Sequence, residues 1–120
     1  MAFSDLVIKT VAGGNYVLVR PLTWKLSNNK TISVPVGFTT DLASVPRGFR
    51  WLITGHSHTR KPAVVHDYLY AKGYTTRKEA DLLFRKGMRD TNTPAWKREA
   101  AYLGVRVGGW VSWNRYRHRA

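Results

Sequence analysis

Short β-type runs fill the first third of the chain, and longer helix-type runs fill its second half. Leu6-Val7-Ile8-Lys9-Thr10-Val11 and Tyr16-Val17-Leu18-Val19-Arg20 are rich in β-branched and aromatic residues, which pack well on a pleated surface; Gly13-Gly14-Asn15 between them is a turn signal. Pro21 lacks an amide donor and ends the second run. Trp24-Lys25-Leu26 and Lys30-Thr31-Ile32-Ser33-Val34 alternate apolar and polar residues around Asn28-Asn29, the period of a hairpin with one buried face. Three to four strands over residues 1–36 are therefore predicted to form one small antiparallel sheet.

Residues 37–60 read as an ordered loop region. Gly37 to Pro46 mix turn formers and hydroxyl residues with apolar anchors, a short helical turn is predicted from Arg47 to Ile53, and Thr54 to Arg60 is polar and exposed. The helical part follows over 61–113. Pro62 suits a first helical turn, and the helix it opens runs to Ala71 or Lys72, before Gly73. Thr76 followed three residues later by Glu79 is a capping box, in which each side chain satisfies the other's orphan amide. The helix it starts runs to about Arg89, with Ala80, Leu83, Phe84, Gly87 and Met88 as its core stripe. Thr93-Pro94 introduces a long C-terminal helix from Ala95 to about Trp113. Trp96, Ala100, Leu103, Val107, Trp110 and Val111 are its predicted core stripe, and Gly104 and Gly108 give it a smooth packing face. Residues 114–120 form a basic tail. The expected fold class is α+β in a single domain, a small N-terminal antiparallel sheet followed by an antiparallel helix hairpin and a long C-terminal helix.

Composition narrows the chemistry. The 120 residues contain no cysteine, which excludes disulfides and thiolate zinc sites and leaves His and carboxylates as metal ligands. No run reaches the roughly 18–20 apolar residues of a transmembrane helix, and Met1-Ala2-Phe3-Ser4-Asp5 lacks the layout of a signal peptide, so the chain is expected to start in a cytoplasm. The net charge of +13 gives a field that attracts phosphate, anionic lipid or acidic protein. Near the C-terminus, Trp113, Arg115, Arg117 and Arg119 interleave aromatic and cationic side chains, a candidate contact to nucleic acid, anionic lipid or a neighbouring subunit.

The candidate chemistry lies where ionisable groups fall inside apolar helices. Ala63-Val64-Val65-His66-Asp67-Tyr68-Leu69-Tyr70 places His66 and Tyr70 on one helical face, with Asp67 at its edge. The link Gly73-Tyr74-Thr75 is short enough to force an antiparallel hairpin, which brings Asp81 of the next helix to the level of His66 within roughly 3 Å at 1.5 Å rise per residue. A carboxylate on one ring nitrogen fixes the tautomer of a histidine and leaves the other to take a proton from water. His66 and Asp81, with Tyr70 beside them, are therefore the candidate catalytic set, and Asp67 with Asp41 could hold a divalent cation. The same residue types also make a buried clasp between two helices. His56 and His58, in a polar basic stretch, read as exposed residues rather than zinc ligands.

Phe38-Thr39-Thr40-Asp41-Leu42-Ala43-Ser44-Val45-Pro46, then Ala63 to Tyr70, then Ala80-Asp81, then Val105-Arg106-Val107-Gly108, resembles a domain-of-unknown-function family (number 1353) encoded mainly by tailed phages and prophages. The resemblance implies a phage protein made in a bacterial host cytoplasm. His66-Asp67-x-x-Tyr70 with Ala80-Asp81-x-x-Phe84 is also similar, as a motif, to the active-site helices of the phospholipase A2 superfamily. That likeness implies His66 as the base, Asp67 as a calcium ligand and Asp81 as the carboxylate orienting His66. No Gly-x-Gly calcium loop precedes His66. Two functions follow as expectations: a virion or assembly component, tail- or capsid-associated, with other virion proteins as partners; or a phage-encoded hydrolase built on the His66/Asp81 dyad.

Overall fold

The computed structural model describes residues 2–11, 15–40 and 57–119, apart from the side chains of Ala2, Ser57, His58 and Arg119. The fold is α+β, with strands followed by helices. The strands are β1 (Ala2–Phe3), β2 (Ile8–Val11), β3 (Asn15–Leu18), β4 (Leu22–Lys25), β5 (Thr31–Val34) and β6 (Thr39–Thr40); the helices are α1 (Ser57–Lys72), α2 (Arg77–Asp90), α3 (Ala95–Gly108) and α4 (Trp110–Arg119). The chain divides into two compact units, residues 1–41 and 42–120. The Gly13-Gly14 turn and the Arg47–Ile53 turn lie outside the described residues.

In the first unit the expected single sheet is instead two three-stranded sheets, β1-β4-β5 and β2-β3-β6. The reason is edge occupancy. β3 uses one edge on β2, in the register Ile8↔Leu18 to Val11↔Asn15, and the other on β6. The exchange of Leu18 with Phe38 and Gly37 extends that second pairing. β4 must therefore find other partners, β5 on one side and the start of the chain on the other, where Phe3 stacks flat on Trp24 at 4.9 Å. The predicted hairpin alternation is present: Leu22, Trp24 and Val34 are buried while Lys25, Thr31 and Ser33 are exposed. Asn29 takes the left-handed conformation the turn requires (φ 67°), which asparagine tolerates better than most residues.

In the second unit α1 and α2 form the antiparallel hairpin. Gly73 (φ 68°) ends α1 as its left-handed cap, its amide on the Leu69 carbonyl at 2.9 Å. The Thr76/Glu79 capping box is formed in both directions, at 3.1 and 2.9 Å. Ala63, Phe84, Met88, Ala101 and Val105 make the core that joins α1, α2 and α3. α1 begins earlier than expected, so that Pro62 lies inside the helix rather than in its first turn. The added turn buries Thr59.

The C-terminal helix differs from expectation in two ways. It breaks at Gly109 and then continues to Arg119, so residues 114–119 are helical rather than a tail. Its predicted core stripe is also on the wrong side: Trp96, Leu103, Val107, Trp110 and Val111 are exposed, and Lys97, Ala101, Gly104 and Val105 face inward. The inward set is displaced by one residue, about 100° around the helix. Ala101 and Gly104 there let α3 approach α2 closely, and close packing of Ala101 and Val105 on Phe84 and Met88 prevails over the larger apolar area of the outer stripe.

Candidate functional site

Asp81 is the centre of the polar network, and side chains from three helices converge on it. His66 Nε2 of α1 lies 2.7 Å from Asp81 Oδ1, and the Tyr70 hydroxyl, one turn further along α1, donates to the same oxygen at 2.6 Å. Arg106 of α3 donates to Oδ2 at 2.7 Å, and Arg77, four residues before Asp81 on α2, lies 3.6 Å from it. His66 packs its ring between Tyr70 and Phe84, with centroids at 4.2 and 4.8 Å. His66, Tyr70 and Asp81 are all 0% exposed.

Two further contacts hold this centre in place. Arg77 also donates to the carbonyls of Val105 and Arg106, at 3.0 and 3.3 Å, and so closes the last turn of α3 as well as facing Asp81. The glycine at 109 has a steric reason: a Cβ there would fall 2.5 Å from the Tyr70 hydroxyl and 3.2 Å from Arg77 Nη1. Only glycine lets the backbone pass so close to the network.

Burial by itself would raise the Asp81 carboxyl. Hydrogen bonds from His66, Tyr70 and Arg106 outweigh it and hold the group below the usual carboxylate range. The Tyr70 phenol moves the other way: burial, then the adjacent Asp81 carboxylate, push it well above its ordinary value of 10.0. Asp81 is thus an anion that accepts from neutral and cationic donors, and Tyr70 is a proton-holding donor.

Asp67 is also 0% exposed but faces a different helix, where the Tyr116 hydroxyl of α4 donates to its Oδ1 at 2.8 Å. The next residue, Arg117, donates to the carbonyls of Tyr70 and Ala71 at the end of α1, and its guanidinium lies 4.2 Å over the Trp113 ring. Trp113 meets Tyr70 edge-on at 5.2 Å. Arg117 and Trp113 are therefore engaged within the chain, Arg115 is exposed, and the Arg119 side chain lies outside the described residues. Asp41 and His56 lie outside them too, as does the side chain of His58. Among the described residues no group of three or more His, Asp or Glu is placed to hold a metal ion. A surface groove of about 320 Å³ lies elsewhere, along the outer side of α2, lined by Leu82, Arg85, Lys86, Arg89 and Asp90.

His66 and Asp81 meet across the hairpin, at the levels that its spacing predicts, and Asp67, at the edge of that face, turns to α4. Sequence reasoning did not single out Arg77, Arg106 or Tyr116. One signal was available for Arg106, the sole charged residue between Glu99 and Arg115. A lone cation in a long apolar run calls for a buried anion.

The family model described as "Protein of unknown function (DUF1353)" matches residues 16–105. That span holds His66, Tyr70, Arg77 and Asp81 and ends one residue before Arg106. Among curated proteins and solved structures nothing matches the chain.

Proposed function

We propose, for a chain that belongs to the family of proteins of unknown function DUF1353, that it is a non-catalytic component of a larger assembly, of the virion kind that the sequence resemblance implies. In this reading the His66/Asp81 network is the clasp that holds its helices together. The observation that carries it is the enclosure of Asp81: both oxygens are engaged, by donors from α1 and α3, and neither Asp81 nor His66 has any exposed surface. A general base must reach a substrate proton directly or through one water. A clasp must instead be satisfied on every side, because a buried polar group left unpaired costs about 1–3 kcal/mol. The network meets the second requirement. The net charge of +13 then serves contact with partners, other virion proteins together with nucleic acid or anionic lipid.

A second reading, a hydrolase, is favoured by one observation, the 2.7 Å His66–Asp81 dyad itself. It requires the site to open to water. One pair of measurements on His66→Ala separates the two: thermal unfolding, and hydrolysis of anionic phospholipid vesicles with and without calcium. The clasp reading expects a loss of about 1–3 kcal/mol and no hydrolysis by either protein. A variant as stable as the parent that loses a calcium-dependent activity of the parent establishes the hydrolase instead.

A further inference from the structure

We propose that the outer face of α2, carrying Lys78, Arg85, Lys86 and Arg89, binds the phosphate backbone of a nucleic-acid duplex without regard to its sequence. At about 100° per residue, Lys78, Leu82, Arg85 and Arg89 fall within an arc of about 60°, and Lys86 lies about 40° beyond it. The arc is opposite the buried residues of the helix, Ala80, Asp81, Phe84, Gly87 and Met88. From Lys78 to Arg89 the row of cations extends over about 16 Å of helix. Three of the four, Arg85, Lys86 and Arg89, line the groove of about 320 Å³.

Charge and lining name the partner. Lys78 and Arg89 are exposed, and neither makes an ion pair among the described residues. Arg85 is held by Glu99 at 2.9 Å and lies 5.1 Å over the Tyr102 ring, which fixes one wall of the groove. Arg98 binds the same Glu99 at 3.0 Å, so two cations share one acid there and a surplus of positive charge persists. Asp90 is the one acid of the lining. A row of cations is complementary to a row of anions, and a duplex presents one phosphate charge per roughly 1.7 Å of its axis. A membrane contact inserts apolar side chains between its cations, and a protein interface is apolar at its centre. Leu82 alone is apolar in this lining. A single strand binds by stacking its bases on aromatic rings. The lining holds none, and Tyr102 beside it has Arg85 over its face.

The inference rests on the reading that the net charge of +13 serves contact with partners, and it names which partner and where. It does not depend on the role of His66, which meets Asp81 on the buried side of α2. With Arg85 kept on Glu99, Lys78, Lys86 and Arg89 supply about three phosphate contacts, each of which releases counterions from the duplex. Binding is therefore modest in strength and steeply dependent on salt.

The test is binding of the full chain to a short duplex DNA of mixed sequence, followed by fluorescence anisotropy from about 50 to 200 mM salt. The affinity should fall about 40-fold over that range, a logarithmic slope of about −2.7. Lys86→Glu combined with Arg89→Glu should weaken binding at least ~10-fold at the low-salt end and bring the slope to about −1. Lys9→Glu combined with Lys30→Glu makes the same change of charge at exposed positions of the β unit and should weaken it less than ~3-fold. Both pairs should keep the circular dichroism spectrum of the parent, and Gln in place of Glu gives the same contrast, smaller in size, should a reversal unfold the chain. Vesicles of anionic phospholipid should bind the two charge-matched pairs alike. No binding of the duplex, equal losses from the two pairs, a slope near zero, or a loss confined to vesicles would each overturn the proposal. The clasp is read separately, by unfolding and hydrolysis with His66→Ala, so failure of one leaves the other standing.

Discussion

The β unit and the helical unit are stabilised by different means. Residues 1–41 bury Leu18, Leu22, Trp24, Leu26 and Val34, and the described part of that unit has no buried ionisable group. Residues 42–120 bury His66, Asp67, Asp81 and Lys97 beside their apolar core, and they carry sixteen of the 20 Lys and Arg but five of the seven acids. The first unit rests on apolar burial and ladder hydrogen bonds, whose strength depends little on pH. The second depends on one carboxylate that three helices share, and so on its remaining ionised. The helical unit can bury Asp81 because Arg106 and Arg77 supply cationic partners for it.

The largest effect is expected from replacing the centre of each region in turn. Asp81→Ala leaves His66, Tyr70 and Arg106 without their shared acceptor and should cost about 3–5 kcal/mol, the usual loss when a buried ionic partner is removed. Trp24→Ala should cost a similar amount, about 3–5 kcal/mol, by opening a cavity. Hydrogen exchange resolved along the chain checks the contrast: Asp81→Ala should lower protection in α1 to α3 and spare β4 and β5, and Trp24→Ala should do the reverse. Equal loss in both regions from either variant would break the comparison.

Next in size is the pH response. The Asp81 carboxyl lies below its ordinary value of 3.8 in the folded chain, so its contribution is complete above that value and is lost as pH falls further. Tyr70 lies above its ordinary 10.0, so its contribution is complete below that pH and is lost above it. Melting of the α1–α2 hairpin should therefore fall on both the acid and the alkaline side, and Tyr70→Phe should reduce the alkaline fall. The β unit should show neither limb. The smallest effect belongs to Thr76→Ala, which removes the capping box and should cost about 1 kcal/mol, felt as fraying of the first turn of α2 by hydrogen exchange.

The hairpin was legible because its determinants are close in sequence. A three-residue link and a capping box leave the two helices little freedom, and with the link set, the levels of His66 and Asp81 follow from the helical rise alone. The division of the strands into two sheets was not legible, since alternation marks a buried face but not which edge takes which partner. Nor was the orientation of α3. Two apolar stripes 100° apart compete on that helix, and counting apolar side chains selects Trp96, Leu103 and Val107, which the structure leaves exposed.

By itself the sequence determined the α+β order of elements, the turns and caps, the meeting of His66 with Asp81, and the positive charge. Each depends on residues within about one hairpin of one another, where covalent geometry limits the arrangements. Only the tertiary structure decided that Arg106 and Arg77 complete the Asp81 centre, that Tyr116 and Arg117 return α4 to α1, and that the largest apolar residues of α3 face outward. These depend on the rotation of one helix against two others, which is set by how closely small residues let backbones approach. Gly109 shows the point, because its need for no side chain is visible only once the Tyr70 hydroxyl stands beside it.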